Sequence, residues 1–359
     1  MRFEPNRLIL GCANLGGLFL DGAKPDSDRA AAIVSEAMRL GISKFDTAPL
    51  YGWGASEFFL GRALEMVKAD RSSIYVSSKS LRALLPCIAK RDATQPDFWT
   101  LGEPNCRFTH AWKVDYDSVM QTTLRSLEVL RSSYLNGLSF HDIADAFQED
   151  PSLTWEQLDT AIQACKDLKA SGFVEEIGFG GKESKTLATL LERHPGLLTY
   201  ASTTTYTLID QEFFVEGGFD LCRKHGIEYR VSGPFCSRLL AQDPRKASSC
   251  KGKDGVVRCY YSGNVDMPVT FNYRYITEQQ YSKACQLWSV CEKFGEITPR
   301  AAALQFVLSC EDVASVIIGA SQPEHLSDIK ESIERVINPR LWDALKEEGI
   351  VAEGAEVPQ

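Results

Sequence analysis

The 359-residue chain contains no Cys-x-x-Cys pair, although it carries 11 cysteines, and it has only five histidines. Zinc-type centres need cysteine and histidine ligands a few positions apart. The closest cysteines, such as Cys250 and Cys259, have no histidine at that spacing, so no metal is expected. An odd, scattered cysteine set argues against a disulfide framework and for reduced thiols in a cytoplasmic protein. No apolar run approaches the ~20 residues that span a bilayer. The first residues, MRFEPNRLILGCANLGG, lack the apolar core of a secretory leader. A dense Lys/Arg run is also missing, and the formal net charge is −9. Nucleic acids and membranes are therefore not expected partners. What is present is an ordinary globular composition, 44% hydrophobic and 24% charged, in a chain long enough to bury a large core.

Short apolar runs alternate with amphipathic helical runs along the chain. Leu8–Gly11 reads as a strand, and 27–40 as a helix with Ala30, Ile33, Val34, Ala37 and Met38 on one face. Further strands are expected to end at Phe45–Thr47 and to span 73–78, 135–140, 174–179, 198–202, 227–232 and 314–318. Helices are expected over 56–67, 118–130, from Thr154, over 183–193, 211–225 and 278–294, from Thr298-Pro299, and near Pro323. Such alternation predicts a parallel sheet. Eight units predict a closed (β/α)8 barrel of the TIM type rather than an open sheet. The expectation is a single domain over residues 1–359, with a core of about 8–335.

Two connections are too long for plain turns. One runs over 80–117 and contains Pro86, Pro96, Phe98, Trp99, Pro104, Phe108 and Trp112. The other runs over 233–277 and contains Pro234, Phe235, Tyr260, Tyr261, Phe271, Tyr273 and Tyr275. Both follow strands, so both belong to the C-terminal face, where barrel enzymes hold their sites. Long loops there read as lids.

Four polar residues fall at or just past consecutive strand ends: Asp46, Tyr51, Lys79 and His141. One rim gathers them. Their chemistry suits hydride exchange at a carbonyl. Reduction needs a proton donor at oxygen, and a free tyrosine is too weak an acid near neutrality. A lysine ammonium stabilises the phenolate. Asp46 can hold Lys79, and a rim histidine can orient the carbonyl. Singly, each residue has a duller explanation: a turn cap, a packing aromatic, a solvated charge, a core histidine. Together they point to one site.

The run GISKFDTAPLYGWGASEFFLGRAL, with VSSK ending at Lys79 and LSFH ending at His141, resembles the aldo-keto reductase family. Glu57, Leu60, Gly61, Ala63 and Leu64 match its helix motif. The resemblance extends from about Leu8 to Ile333. It implies the barrel, NAD(P)(H) bound without a Rossmann domain, and Tyr51 as general acid/base, assisted by Asp46, Lys79 and His141. His141-Asp142-Ile143 and the start Val114–Ser118 resemble the branch that oxidises sugars at C1 to lactones. A pyridoxal dehydrogenase and fungal reductases share that pattern. The substrate implied is thus a small carbonyl or alcohol, aldose-like or, alternatively, a non-sugar aldehyde.

By the same resemblance, cofactor contacts fall to Gly11, Asp46, Gly181, Ser232, Pro234, Phe235, Gly319, Ser321, His325 and Asp328. Substrate contacts fall to Tyr51, Trp53, His141 and Trp112. Some positions depart from the family pattern. Gly178-Phe179-Gly180-Gly181 stands where many members carry Ser-Asn, and Ser232 where many carry a stacking tyrosine. His325 stands where NADP-specific members place an arginine, which suits a 2′-phosphate better than a largely neutral histidine. That leans towards NAD or dual use. His110 is a further candidate for the substrate pocket, whereas His194 and His225 read as helix ends. A monomer or weak homo-oligomer is expected. Two other readings stay open: a non-catalytic dinucleotide-binding regulatory protein, and a Schiff-base lyase using Lys79.

Overall fold

The computed structural model describes residues 1–18, 25–86, 108–251, 256–260, 269–272, 274–295 and 297–359. Pro96, Phe98, Trp99, Pro104, Tyr261 and Tyr273 lie outside the described residues. Eight parallel strands close into a barrel. They are β1 (Leu8–Gly11), β2 (Lys44–Asp46), β3 (Tyr75–Ser80) and β4 (Leu135–His141). The ring continues with β5 (Val174–Gly181), β6 (Tyr200–Thr203), β7 (Glu228–Ser232) and β8 (Val313–Gly319). It closes where Leu8 lies opposite Val316 and Gly11 opposite Gly319. Parallel neighbours need crossover helices, and the amphipathic runs supply them.

The helix Ser27–Arg39 buries Ala30, Ile33, Val34 and Ala37. It is capped by Asp26, whose carboxylate accepts from the Arg29 N–H. Thr154 and Gln157 form the expected capping box on Trp155–Ala170. The expected single helix over 211–225 is instead two pieces, Glu212–Val215 and Gly218–His225. Gly217, at φ 76°, breaks it. Helices Ile143–Glu149 and Arg340–Glu347 add to the alternating pattern.

Towards its N-terminal end the barrel interior is polar rather than aliphatic. Arg230 lies 3.8 Å over the Tyr200 ring. It donates to the Tyr75 hydroxyl at 2.9 Å, and that hydroxyl donates to Glu176 at 2.9 Å. Room for these rings comes from missing side chains: a Cβ on Gly178 would lie 2.2 Å from the Tyr200 ring.

The two long connections carry strands of their own. Arg82–Pro86 pairs antiparallel with Phe108–Trp112, making a two-stranded arm that rises directly from β3. The second connection contributes Ser248–Lys251, Val256–Tyr260, Thr270–Phe271 and Arg274–Thr277 to a small four-stranded sheet. Period-two alternation over such short segments is weak, and so the sequence reads them as loops.

Candidate active site

Strand register assembles the rim. Asp46 ends β2 opposite Ser77 of β3. Residues two apart on a strand share a face, so Ser77 and Lys79 both reach the Asp46 carboxylate. Ser77 Oγ donates to Oδ1 at 2.8 Å and Lys79 Nζ to Oδ2 at 2.5 Å. Lys79 Nζ also donates to the Thr47 carbonyl at 2.9 Å. On β4, Ser139 lies opposite Lys79, and His141 follows two residues on, on the same face. Asp46, Lys79 and His141 are all buried.

Tyr51 arrives from the turn after β2. Gly52, Trp53 and Gly54 all have positive φ, at 58°, 56° and 89°. A Cβ on Gly52 would meet the Gly16 carbonyl oxygen at 2.0 Å, so only glycine fits there. The turn holds the Tyr51 ring with its centre 5.0 Å from Lys79 Nζ and 6.0 Å from the His141 ring, edge to face. Burial, reinforced by the charges of Arg82, Lys79 and Lys182, holds His141 well below the usual histidine range. The imidazole is therefore neutral at neutral pH, with one nitrogen left to donate.

These groups line one cleft of about 740 Å³ across the C-terminal face. From the residues expected at the cofactor, Gly11, Asp46, Gly181, Ser232, Pro234, Phe235, Gly319, Ser321 and His325 line it. So do Tyr51, Trp53, His141 and His110. Two expected residues do not. Trp112 lies behind the wall, 3.9 Å beneath the Arg82 guanidinium, with its Nε1–H donating to Glu149. The antiparallel pairing sets Arg82 directly opposite Trp112, so the two side chains share a face and stack, and of the two only the arginine lines the cleft. Asp328 lies one helical turn beyond His325 and faces Arg300 at 4.0 Å instead.

Several cleft residues escaped the sequence reading. Asp142 and Lys182 each follow the last residue of a barrel strand, and Arg82 lies just past Ser80. The strand-exit rule that found Lys79 could have found them. Asn14, Arg238, Gln242, Asn272 and Arg274 also line the cleft. Arg274 opens a four-residue strand and the others sit on short turns and loops, all too short for a periodic signal. Arg82 Nη2 donates to Asp142 Oδ2 at 3.0 Å, and Arg82 Nη1 lies 3.1 Å from His110 Nε2. Asp145 gathers Lys182 at 2.8 Å, Arg274 at 3.5 Å and Arg82 at 3.6 Å.

The cleft also fits a dinucleotide. Its volume suits a cofactor with a small substrate. Gly11, Gly181 and Gly319 line it, with only Asn14 Nδ2 near where a Cβ on Gly319 would stand, and the buried Thr204 hydroxyl on its wall has no partner among the described residues. No group of three or more His, Cys, Asp or Glu able to hold a metal occurs among the described residues. No helix among them is long and apolar enough to cross a membrane.

A closed barrel whose rim gathers a buried Lys–Asp pair, a tyrosine and a neutral histidine around such a cleft defines an NAD(P)-dependent oxidoreductase. The chain belongs to the aldo/keto reductase family, whose family model matches residues 7–348. It is 27% identical to pyridoxal 4-dehydrogenase of Microbacterium luteolum, over 96% of this chain and 94% of that one. It is 28% identical to D-threo-aldose 1-dehydrogenase of a Pseudomonas species, over 95% and 93%. In fold it is similar to an aldo-keto reductase from Bacillus halodurans in its holo form, with a TM-score of 0.64 and 21% identity over 98% and 94% of the chains.

Proposed function

We propose that the chain is an aldose 1-dehydrogenase-like enzyme, interconverting a hemiacetal or aldehyde with its lactone or alcohol. The observation that carries the proton-transfer part is the convergence of Lys79, held by Asp46 at 2.5 Å, with Tyr51 and the neutral His141 on one rim. The bound nicotinamide supplies or accepts the hydride. In reduction Tyr51 gives its phenolic proton to the substrate oxygen, and in oxidation it takes one. Lys79, 5.0 Å from the ring centre, favours the phenolate by its charge. Asp46 holds Lys79 in place through their buried ion pair. That opposes a Schiff-base role, which needs a free amine. His141, kept neutral, directs an N–H at the same oxygen.

For the cofactor, the reading is NAD or dual use. At the far end of the cleft the Ser321 N–H donates to His325 Nδ1 at 3.3 Å. An imidazole held in this way offers no planar two-donor fork of the kind an arginine brings to a 2′-phosphate dianion.

A second reading, reduction or oxidation of a pyridoxal-like aldehyde, is favoured by the similarity to pyridoxal 4-dehydrogenase. One assay separates the two. The protein is incubated with an aldose panel, pyridoxal and aromatic aldehydes, with each cofactor, and followed at the nicotinamide absorbance. Hydroxylamine trapping detects lactone. Lactone formation with an aldose supports the first reading. Turnover of pyridoxal alone overturns it.

A further inference from the structure

One wall of the cleft holds a cluster that the proton-transfer chemistry does not use. Arg82 is buried, and Trp112 stacks on one face of its guanidinium. One Nη points to His110 Nε2 and the other to Asp142 Oδ2. A guanidinium donates and cannot accept. His110 Nε2 is therefore the acceptor, and the proton of that ring sits on Nδ1. His110 stacks on Trp53, with ring centres 6.1 Å apart. Asp142 Oδ2 lies 3.5 Å from His141 Nε2. Arg82 thus orders a donor-bearing ring and an acceptor carboxylate beside the reacting position.

Two further observations mark this wall as a ligand site rather than a structural plug. Leu81 and Asp142, each just past a strand end, both hold positive φ, at 76° and 52°. Neither is glycine, and strain of this kind concentrates at ligand clamps. The Nε of Arg82 is buried without a partner among the described residues, a cost that a packing role alone would not require.

Charge then selects the ligand class. Arg82, Lys182 and Arg274 face Asp142 and Asp145 across this wall, with Glu149 at its edge. Among the described residues of this wall, three cations meet three carboxylates. An anionic substrate would have to displace Asp142 from Arg82. A purely apolar one would strip water from these groups and return no hydrogen bond. A neutral hydroxyl both donates and accepts, and so matches the pattern.

We propose that Arg82 is a specificity-determining positioning residue. Through His110 and Asp142 it presents a hydrogen-bond donor and acceptor to a hydroxyl on the carbon next to the reacting carbonyl. The subsite therefore takes neutral hydroxy-aldehydes and lactols over carboxylated or unsubstituted aldehydes. This rests on the reading of the same cleft as the reaction site.

The test compares glyceraldehyde, propanal and succinic semialdehyde as substrates for the wild type, Arg82→Met and Asp142→Asn, with nucleotide binding and melting as folding controls. The wild type is expected to prefer glyceraldehyde over propanal by about tenfold or more in kcat/KM. Each variant is expected to erase most of that preference, through a raised KM for glyceraldehyde. If Arg82→Met does not fold, the isosteric Asp142→Asn carries the comparison. A wild-type ratio near one, a preference for succinic semialdehyde, or equal losses on glyceraldehyde and propanal would overturn the proposal. Aldose oxidation without any glyceraldehyde preference overturns the clamp and spares the aldose reading. A glyceraldehyde preference lost in both variants, in a protein that makes no lactone, does the reverse.

Discussion

Lys79 Nζ lies 2.5 Å from Asp46 Oδ2 in a buried pair, with the Thr47 carbonyl as its other acceptor at 2.9 Å. Removing one partner of such a pair leaves an uncompensated charge, whereas removing both does not. Asp46→Asn is expected to destabilise the protein by about 3 kcal/mol in urea titrations. Adding Lys79→Met to that variant is expected to restore much of the loss while turnover stays abolished. If the double variant is less stable than the single one, the pair is not the isolated unit described.

Tyr51→Phe keeps the ring and removes the transferable proton. Turnover is expected to fall by about 100-fold or more, with nucleotide affinity nearly unchanged in fluorescence titration. A variant that keeps most of its activity would mean that another group moves the proton.

His141 stays neutral in the folded chain to a pH well below the usual histidine range, chiefly through burial. Once unfolded, it binds a proton near pH 6.5. Below that pH the unfolded state therefore holds the extra proton, and stability falls as pH falls, until the depressed folded value is reached. Above about pH 6.5 this contribution is constant. His141→Gln removes it. From pH 7.5 to 5.5 the stability gap between wild type and variant is expected to move in the variant's favour, by up to about 1.4 kcal/mol per unit below 6.5. A gap that does not vary with pH would contradict the burial described.

His325→Arg places a cation at the far end of the cleft. The ratio of NADP to NAD use is expected to rise by about tenfold. An unchanged ratio in steady-state kinetics would move the adenosine end of the cofactor elsewhere.

Gly52→Ala drives a methyl group into the Gly16 carbonyl at a backbone φ of 58°. A loss of about 2–4 kcal/mol in denaturant titration is expected. Activity should fall with it, because the same turn carries Tyr51. Gly172, also at positive φ but with nothing within 4 Å, serves as the control, at no more than about 1–2 kcal/mol.

The barrel and its rim were legible because they rest on repetition. Eight alternations and the strand-end positions of Asp46, Lys79 and His141 are periodic facts, and register turns them into contacts. The wall was not legible. Arg82 acquires its partners only when an antiparallel arm brings Trp112 and His110 beside it, and nothing in the spacing of residues 82 and 110 announces that pairing. Trp112 and Asp328 were misplaced for a related reason. An aromatic in a rim loop and an acid near a helix start are plausible lining residues until the direction of each side chain is known. The polar barrel interior around Arg230 was equally hidden, since its members come from four separate strands.

The paired segments Arg82–Pro86 and Phe108–Trp112 stand between β3 and the helix Tyr116–Leu130, so in sequence the arm is a cassette. The residues proposed to handle the proton are carried by β2, β3, β4 and the turn after β2, and none of them lies on the arm. On the proposed roles, recognition by the arm and proton transfer fall on separable stretches of the chain. Transplanting the arm between barrels of this kind, together with the residue after β4, is a route to exchanging substrate range without rebuilding the chemistry.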